Sequence, residues 1–246
     1  MYIVLLTAIG VGGATVFGAV IGFIFKDISK KFGDAVLAFA GGVMLIASIN
    51  GLILPSLEYE SKYVLLISVL GICVGAFIIY ILERAVPHIT KMAEGKFAES
   101  RNRVLLFALA IAIHNLPEGI AAGVGFGAGN TAGAFALALG IALQNVPEGM
   151  VLIAPMIGAG ISPQKTFLYA SLTGVIEIVG TFIGYFAVSK ASALLPFALS
   201  LAGGAMLYVI SEEIIPETHS EGKKSGVSFS FLFGFCFMLA VSFLIN

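Results

Sequence analysis

Two short segments carry the side chains in this sequence that are best suited to binding chemistry. They share the pattern polar-Asn-x-Pro-Glu-Gly and read His114-Asn115-Leu116-Pro117-Glu118-Gly119 and Gln144-Asn145-Val146-Pro147-Glu148-Gly149. Residues four apart share one face of a helix, so His114 lies beside Glu118, and Gln144 lies beside Glu148. Each proline also leaves a carbonyl of the preceding turn without its usual amide donor. Each segment therefore predicts a helix face of nitrogen and oxygen ligands.

A third carboxylate, Glu177, belongs with Glu118 and Glu148 because all three lie near the centre of a long apolar run. If these runs cross a membrane, a charge at that depth costs about 2.5–3.5 kcal/mol on insertion scales. No Lys or Arg lies at the same depth to form an ion pair. Such acids must be protonated, face water or hold a cation. Three of them at one depth favour the cation.

The candidate ligands combine one imidazole, three carboxylates, amide oxygens and a thioether. They are His114, Asn115, Glu118, Gln144, Asn145, Glu148, Glu177 and Met44, although methionine in a membrane helix more often serves packing. A mixed nitrogen and oxygen set suits Zn²⁺, Fe²⁺, Mn²⁺ or Cd²⁺ better than Mg²⁺ or Ca²⁺. Because the set contains no thiolate, binding should be weaker than in a structural zinc site. Weaker binding suits a protein that must also release its ion.

The composition identifies the class of protein that holds these residues. The chain has 246 residues, of which 59% are hydrophobic and 11% charged, and its mean hydropathy is +1.06. Soluble domains carry about 25% charged residues. The sequence therefore predicts an all-α, multi-pass membrane protein whose surface meets the lipid bilayer. A net charge of −1 without a basic run argues against a nucleic-acid partner.

Eight apolar runs are long enough to span a membrane, since a spanning helix needs about 20 residues. We expect one transmembrane domain over residues 1–246, with spans at about 2–25, 35–57, 63–83, 103–128, 131–156, 166–189, 194–217 and 226–246. Eleven of the thirteen Lys and Arg residues fall in the loops after the first, third, fifth and seventh spans. Positive loops face the cytoplasm. This bias predicts a cell-membrane protein with both termini outside the cytoplasm.

The spans also contain an internal repeat. Residues 40–45 of the second span read Ala-Gly-Gly-Val-Met-Leu, and residues 202–207 of the seventh read Ala-Gly-Gly-Ala-Met-Leu. Pro55 and Pro216 follow at nearly the same distance. The two spans run in opposite directions, as do the neighbouring fourth and fifth spans with their Pro-Glu-Gly segments. Small residues recur in membrane helices for packing alone, but two such pairs indicate the inverted repeats of secondary transporters.

With these motifs, the chain resembles the ZIP family of divalent-metal transporters, in the prokaryotic-type branch with short loops. The resemblance implies a 3+2+3 helix bundle, in which spans one to three are related to spans six to eight by a pseudo-twofold axis. It places the primary metal ligands at His114, Glu118, Gln144, Glu148 and Glu177. A second metal position would use Asn115, Asn145 and Met44, sharing Glu148 and Glu177. An inner release path would use Glu83, His88, Glu212 and Glu213.

One departure from the family pattern bears on the number of metals. Asn145 stands where some relatives carry Asp, so a second cation would lose a charged ligand. We therefore expect one firmly held metal rather than a binuclear centre. The resemblance also implies a homodimer, without identifying its interface.

We expect an importer of Zn²⁺, with Fe²⁺, Mn²⁺ and Cd²⁺ as further substrates, that works by alternating access and has no prosthetic group. A metal-selective channel is the nearer alternative, because sequence does not separate a channel from a carrier. An intramembrane metalloenzyme is the more distant alternative. It would need an open metal position and a general base, whereas the sequence has no His-Glu-x-x-His segment and one His inside a span. We therefore do not expect an enzyme.

Overall fold

The protein is described by a computed structural model that covers residues 1–25, 29–93, 99–127, 131–158, 160–190, 194–220 and 225–245. Side chains at 85–93, 99–111 and 189–190 lie outside this description. All regular structure within these ranges is helical. The α-helices are α1 (Tyr2–Ile24), α2 (Lys30–Ser48), α3 (Leu54–Leu57), α4 (Val64–Ala93), α5 (Glu99–Gly127), α6 (Thr131–Gly158), α7 (Pro163–Lys190), α8 (Leu195–Val209), α9 (Ile215–Thr218) and α10 (Ser225–Ile245).

Seven helical segments in the described part of the chain are long and apolar enough to cross a membrane. They are Tyr2–Ile24, Lys30–Leu57, Val64–Arg84, Thr131–Gly158, Pro163–Val188, Leu195–Thr218 and Ser225–Ile245. This confirms the predicted class, an all-α membrane protein with several spans. The helix α5 covers the predicted fourth span, and its crossing of the membrane stays a prediction.

Two π-helical turns interrupt the second and seventh spans. Residues Ile49–Ile53 join α2 to α3, and residues Ile210–Ile214 join α8 to α9. Each turn is followed by a proline at the start of the next short helix, Pro55 or Pro216. Proline lacks the amide that would continue the hydrogen-bond ladder, and a π turn adds one residue to the helical repeat. The interruption therefore changes the direction of the side chains that lie within it.

Helices α1, α5, α6 and α7 pack closely against one another. Gly12 of α1 meets the backbone of Gly174 on α7, and Gly18 of α1 meets the backbone of Val146 on α6. Small residues let membrane helices approach at van der Waals distance. This four-helix group holds both Pro-Glu-Gly segments at its centre.

The remaining long helices form two pairs beside that group: α2 packs on α10, and α4 packs on α8. Glycine again permits the contacts, since Gly42 of α2 meets the backbone of Phe231 on α10. Gly204 of α8 meets the backbone of Ile72 on α4 in the same manner. The pairs bring the two π turns against the four-helix group, and the second of these turns reaches the polar cluster described next.

Candidate metal centre

The polar cluster lies where α5, α6 and α7 meet inside the apolar core. Seven of its side chains are at most 7% exposed: His114, Asn115, Glu118, Gln144, Asn145, Glu148 and Glu177. These are the residues that the sequence predicts as ligands, apart from Met44. Polar groups buried in this way need partners, because an unpaired group loses its hydration without compensation.

The glycine after each glutamate sets the crossing of the helices. Gly119 packs on the backbone of Glu177 in α7, and Gly149 packs on the backbone of Thr15 in α1. A Cβ atom at either glycine would overlap a carbonyl oxygen of the neighbouring helix. The Pro-Glu-Gly segments therefore hold α5 against α7 and α6 against α1 at the level of the acids.

Glu177 accepts hydrogen bonds from three helices. Thr15 Oγ1 donates to Glu177 Oε1 at 2.9 Å, and Asn115 Nδ2 donates to the same oxygen. Asn145 Nδ2 donates to Glu177 Oε2 at 2.8 Å and to the carbonyl of Val11 at 3.2 Å. Both asparagines therefore turn their amide nitrogens towards Glu177, and each keeps its Oδ1 atom for another partner.

A second bond joins the two Pro-Glu-Gly helices directly. Gln144 Nε2 on α6 donates to Glu118 Oε1 on α5. The amide of Gln144 thus contacts the glutamate of the other Pro-Glu-Gly segment.

The imidazole of His114 faces the second π turn. Its Nε2 atom lies 2.9 Å from Glu213 Oε2, and the Glu213 side chain is 26% exposed. Glu83 on α4 lies near enough to Glu213 to interact with it electrostatically. The structure therefore brings one residue of the predicted release path into contact with the predicted metal site, and a second beside it.

Several acceptor atoms of the cluster are buried without a hydrogen-bond partner. They are Asn115 Oδ1, Glu118 Oε2, Gln144 Oε1, Asn145 Oδ1 and Glu148 Oε2. All five are oxygens with lone pairs and no proton to give when the acids are ionised. One nitrogen of the cluster, His114 Nε2, also has no hydrogen-bond partner apart from its contact with Glu213. Unpartnered oxygens are therefore in excess, which is the chemistry that a cation satisfies.

Among the described residues, no three His, Cys, Asp or Glu side chains converge closely enough to hold a metal ion together. The polar side chains bond to one another instead, as Gln144 does to Glu118. Binding of a metal therefore requires at least some of these internal contacts to be exchanged.

Three other predicted residues form none of the polar contacts given above. Met44 of α2 is buried in the apolar core. Glu212 lies on the second π turn and is exposed. The backbone of His88 continues α4, but its side chain lies outside the described residues. The ligand role of Met44 and the release-path roles of His88 and Glu212 stay predictions.

Sequence reasoning missed Thr15, which contributes a hydroxyl to the cluster from α1. The relation between the first and sixth spans could have identified this residue. Thr15 comes three residues after Gly12, as Glu177 comes three residues after Gly174, and the two glycines meet in the structure. Aligning the first span with the sixth would have placed Thr15 opposite Glu177.

Comparison with known proteins gives the same family that the motifs indicate. Residues 90–242 match the ZIP Zinc transporter family. The chain is 34% identical to Zinc transporter GufA of Myxococcus xanthus, over 94% of each chain. It is 35% identical to Zinc transporter ZIPB of Bordetella bronchiseptica, over 92% of this chain and 76% of that one. It is 31% identical to Zinc transporter ZIP11 of Xenopus tropicalis, over 93% of each. The chain belongs to the ZIP family.

Proposed function

We propose that the protein imports Zn²⁺ into the cytoplasm, and that Fe²⁺, Mn²⁺ and Cd²⁺ are further substrates. The observation that carries the proposal is the group of buried, unpartnered oxygens where α5 and α6 meet. They lie within a multi-pass membrane protein of a family that is named for zinc transport. Membership of that family points to transport rather than to catalysis.

The transported ion would bind to His114, Glu118, Gln144 and Glu148, which line α5 and α6 at matching positions of the repeat. Unpartnered acceptors on Glu118, Gln144 and Glu148 support this assignment. The imidazole of His114 would turn from Glu213 to the ion. Glu177 would contribute from α7, within the limit set by its three hydrogen bonds.

A single ion fits this chain better than two. A second ion would sit among Met44, Asn115, Asn145, Glu148 and Glu177, and three of these five residues are neutral. The amide nitrogens of both asparagines already bond to Glu177. A carboxylate binds a hard or borderline divalent cation more strongly than a neutral amide does, so the second position is the weaker one.

We further propose that α5 also crosses the membrane, which brings the number of spans to eight, and that the spans form a 3+2+3 inverted repeat. Paired contacts support this arrangement. Gly42 of α2 meets α10 as Gly204 of α8 meets α4, and Gly119 meets α7 as Gly149 meets α1. The two π turns before Pro55 and Pro216 form a further pair. A pseudo-twofold axis between α5 and α6 would relate all of them.

We propose alternating access as the mechanism, and this division of the helices supports it. The group of α1, α5, α6 and α7 holds the ligands and would move as a unit against α2, α4, α8 and α10. The contact between His114 and Glu213 crosses between the two groups. Breaking and remaking it would accompany each cycle, with Glu83, His88 and Glu212 lining the inner release path. A metal-selective channel, the second candidate, would keep the groups fixed.

The distribution of Lys and Arg supports an orientation in the cell membrane with both termini outside the cytoplasm. Dimerisation with a second copy is expected from the family resemblance alone.

Zinc uptake into proteoliposomes loaded with a zinc-sensitive dye tests the function and the site together. Wild type is compared with His114→Ala, Glu148→Ala and, as the control, Glu60→Ala, which changes an exposed residue between two spans. We expect saturable entry that both site variants abolish and the control retains. No entry with wild type would overturn the transport function, and near-normal entry with Glu148→Ala would overturn the site. A flux that fails to saturate would favour the channel.

A further inference from the structure

Thr15 is a fully buried residue of α1 that belongs to neither Pro-Glu-Gly segment. Its hydroxyl donates to Glu177 Oε1 at 2.9 Å, although 162 positions separate the two residues. Two other buried threonines bond within their own helix: Thr173 donates to the carbonyl of Ala170, and Thr181 donates to the carbonyl of Glu177. Bonding to the preceding turn is the usual behaviour of threonine in a helix. The hydroxyl of Thr15 is therefore directed across a helix interface to one particular carboxylate.

The two carboxylate oxygens of Glu177 accept different numbers of hydrogen bonds. A carboxylate has roughly four acceptor positions, two on each oxygen. Thr15 and Asn115 together occupy both positions of Oε1. Among the described residues, Asn145 is the donor to Oε2 and leaves its second position open. The oxygen that Glu177 can offer to a cation is therefore Oε2.

The backbone carbonyls of Thr15 and Glu177 are packed in the same way, each against a glycine of a neighbouring helix. Gly149 packs on the Thr15 carbonyl, and Gly119 packs on the Glu177 carbonyl. One helical turn earlier, Gly12 and Gly174 hold α1 and α7 in contact. Close packing of the helices therefore holds the hydroxyl beside Glu177. A side chain that orients a ligand must itself be held in this way.

We infer that Thr15 is a positioning residue of the transport site, which fixes Glu177 so that a single oxygen faces the metal. The inference rests on the proposed function. Thr15 itself would not touch the ion and would act through Glu177. Hydrogen-bond partners of metal ligands typically contribute about 10- to 100-fold to metal affinity or activity. We expect loss of the Thr15 hydroxyl to weaken zinc binding by about tenfold, at the lower end of that range because two other donors to Glu177 remain.

The test measures the zinc affinity of the purified full-length chain by competition with a zinc-sensitive dye. Thr15→Val keeps the shape of the side chain and removes the hydroxyl, whereas Thr15→Ser keeps the hydroxyl. Thr173→Val is the matched control, because it removes an equally buried hydroxyl that bonds to Ala170 at 2.8 Å. We expect about tenfold weaker binding for Thr15→Val. Thr15→Ser and Thr173→Val should bind as wild type does.

Uptake into proteoliposomes supplies a second readout. For Thr15→Val we expect a raised KM for zinc with a maximal rate close to that of wild type. Wild-type affinity in Thr15→Val, or equal losses in Thr15→Val and Thr15→Ser, would overturn the positioning role. If Thr15→Val does not fold, Thr15→Ala replaces it, and equal affinities for Thr15→Ala and Thr15→Ser would overturn the role. Absence of zinc binding and uptake in wild type would instead count against the proposed function.

Discussion

His114 of α5 and Glu213 of the second π turn lie 2.9 Å apart, from Nε2 to Oε2. The imidazole is buried and the carboxylate partly exposed, so the contact lies at the boundary of the candidate site. It joins the helix group that carries the proposed ligands to the helices beside this group. A metal ion that binds to Nε2 must first displace Glu213.

Replacing Glu213 with Gln should therefore strengthen zinc binding at equilibrium. The amide keeps the size of the carboxyl group but cannot carry its charge, and polar contacts to charged groups are stronger by about 1 kcal/mol. Because Glu213 is partly exposed, solvent reduces this difference. We expect about threefold tighter binding, measured by dye competition in detergent. The rate of uptake should fall, since release towards the cytoplasm loses a carboxylate.

Glu212→Gln is the control for this experiment, because Glu212 lies on the same π turn and is exposed. It should leave zinc affinity unchanged. Weaker zinc binding in Glu213→Gln would show that Glu213 is itself a ligand in the bound state.

Replacing Gly149 with Ala should destabilise the protein. The new Cβ atom would overlap the Thr15 carbonyl on α1, so the two helices would have to separate. Overpacking of this kind costs about 1–3 kcal/mol, which corresponds to a fall in Tm of roughly 2–4 °C per kcal/mol for a chain of this length. Thermal unfolding in detergent measures the shift.

Gly10→Ala provides the comparison on α1, because a Cβ atom at Gly10 would meet nothing within 4 Å. Alanine is the better helix former by about 1 kcal/mol, so this variant should be at least as stable as wild type. A Gly149→Ala protein as stable as Gly10→Ala would contradict the close contact between α1 and α6.

The proposed orientation predicts which side of the membrane each loop faces. A single cysteine at Glu60, between the second and third spans, should react with an impermeant maleimide added outside intact cells. A single cysteine at Lys165, near the start of α7, should react only after the membrane is opened. Both positions are exposed. Cys73 and Cys236 are also exposed, so both are first replaced by Ser. Labelling of the Lys165→Cys variant in intact cells would reverse the orientation.

Much of the fold follows from local sequence. The apolar run at 2–25 contains α1, which extends over Tyr2–Ile24, because a membrane helix satisfies its own backbone and needs only apolar length. The π turns were not predictable in the same way. Pro55 and Pro216 indicate that each helix is interrupted, but whether the interruption becomes a π turn depends on the helices packed around it.

The parts of the site that depend on spacing within one helix were predictable from the sequence. The spacing of His114 and Glu118 and the repeat at Gln144 and Glu148 identified a buried polar face, since both relations are local. The partners of these residues were not predictable. Glu213 contacts His114 because a π turn in another span directs its side chain there, and no local spacing predicts that contact.

The two asparagines show the same limit. Residue type indicates that Asn115 and Asn145 can bind a metal through oxygen or donate through nitrogen. The structure directs the nitrogen of each to Glu177. Tertiary contact with α7 decides between the two uses, and that contact is absent from the local sequence.

Asn145→Asp should convert the site from one bound metal to two. The substitution removes the amide that donates to Glu177 Oε2 and to the Val11 carbonyl. It also sets a carboxyl group beside the Glu177 carboxylate, where two negative charges repel unless a cation lies between them. The metal-free variant should therefore be less stable than wild type and should gain more stability from added zinc.

Metal content after equilibrium dialysis against zinc measures the number of ions for each chain. We expect one for wild type and two for Asn145→Asp. Asn50→Asp serves as the control, because Asn50 lies on the first π turn, near the end of the second span and outside the polar cluster, and it should keep one ion. Two ions in wild type would mean that neutral amides suffice for the second position. One ion in Asn145→Asp would mean that a carboxylate at position 145 is not sufficient to hold a second ion.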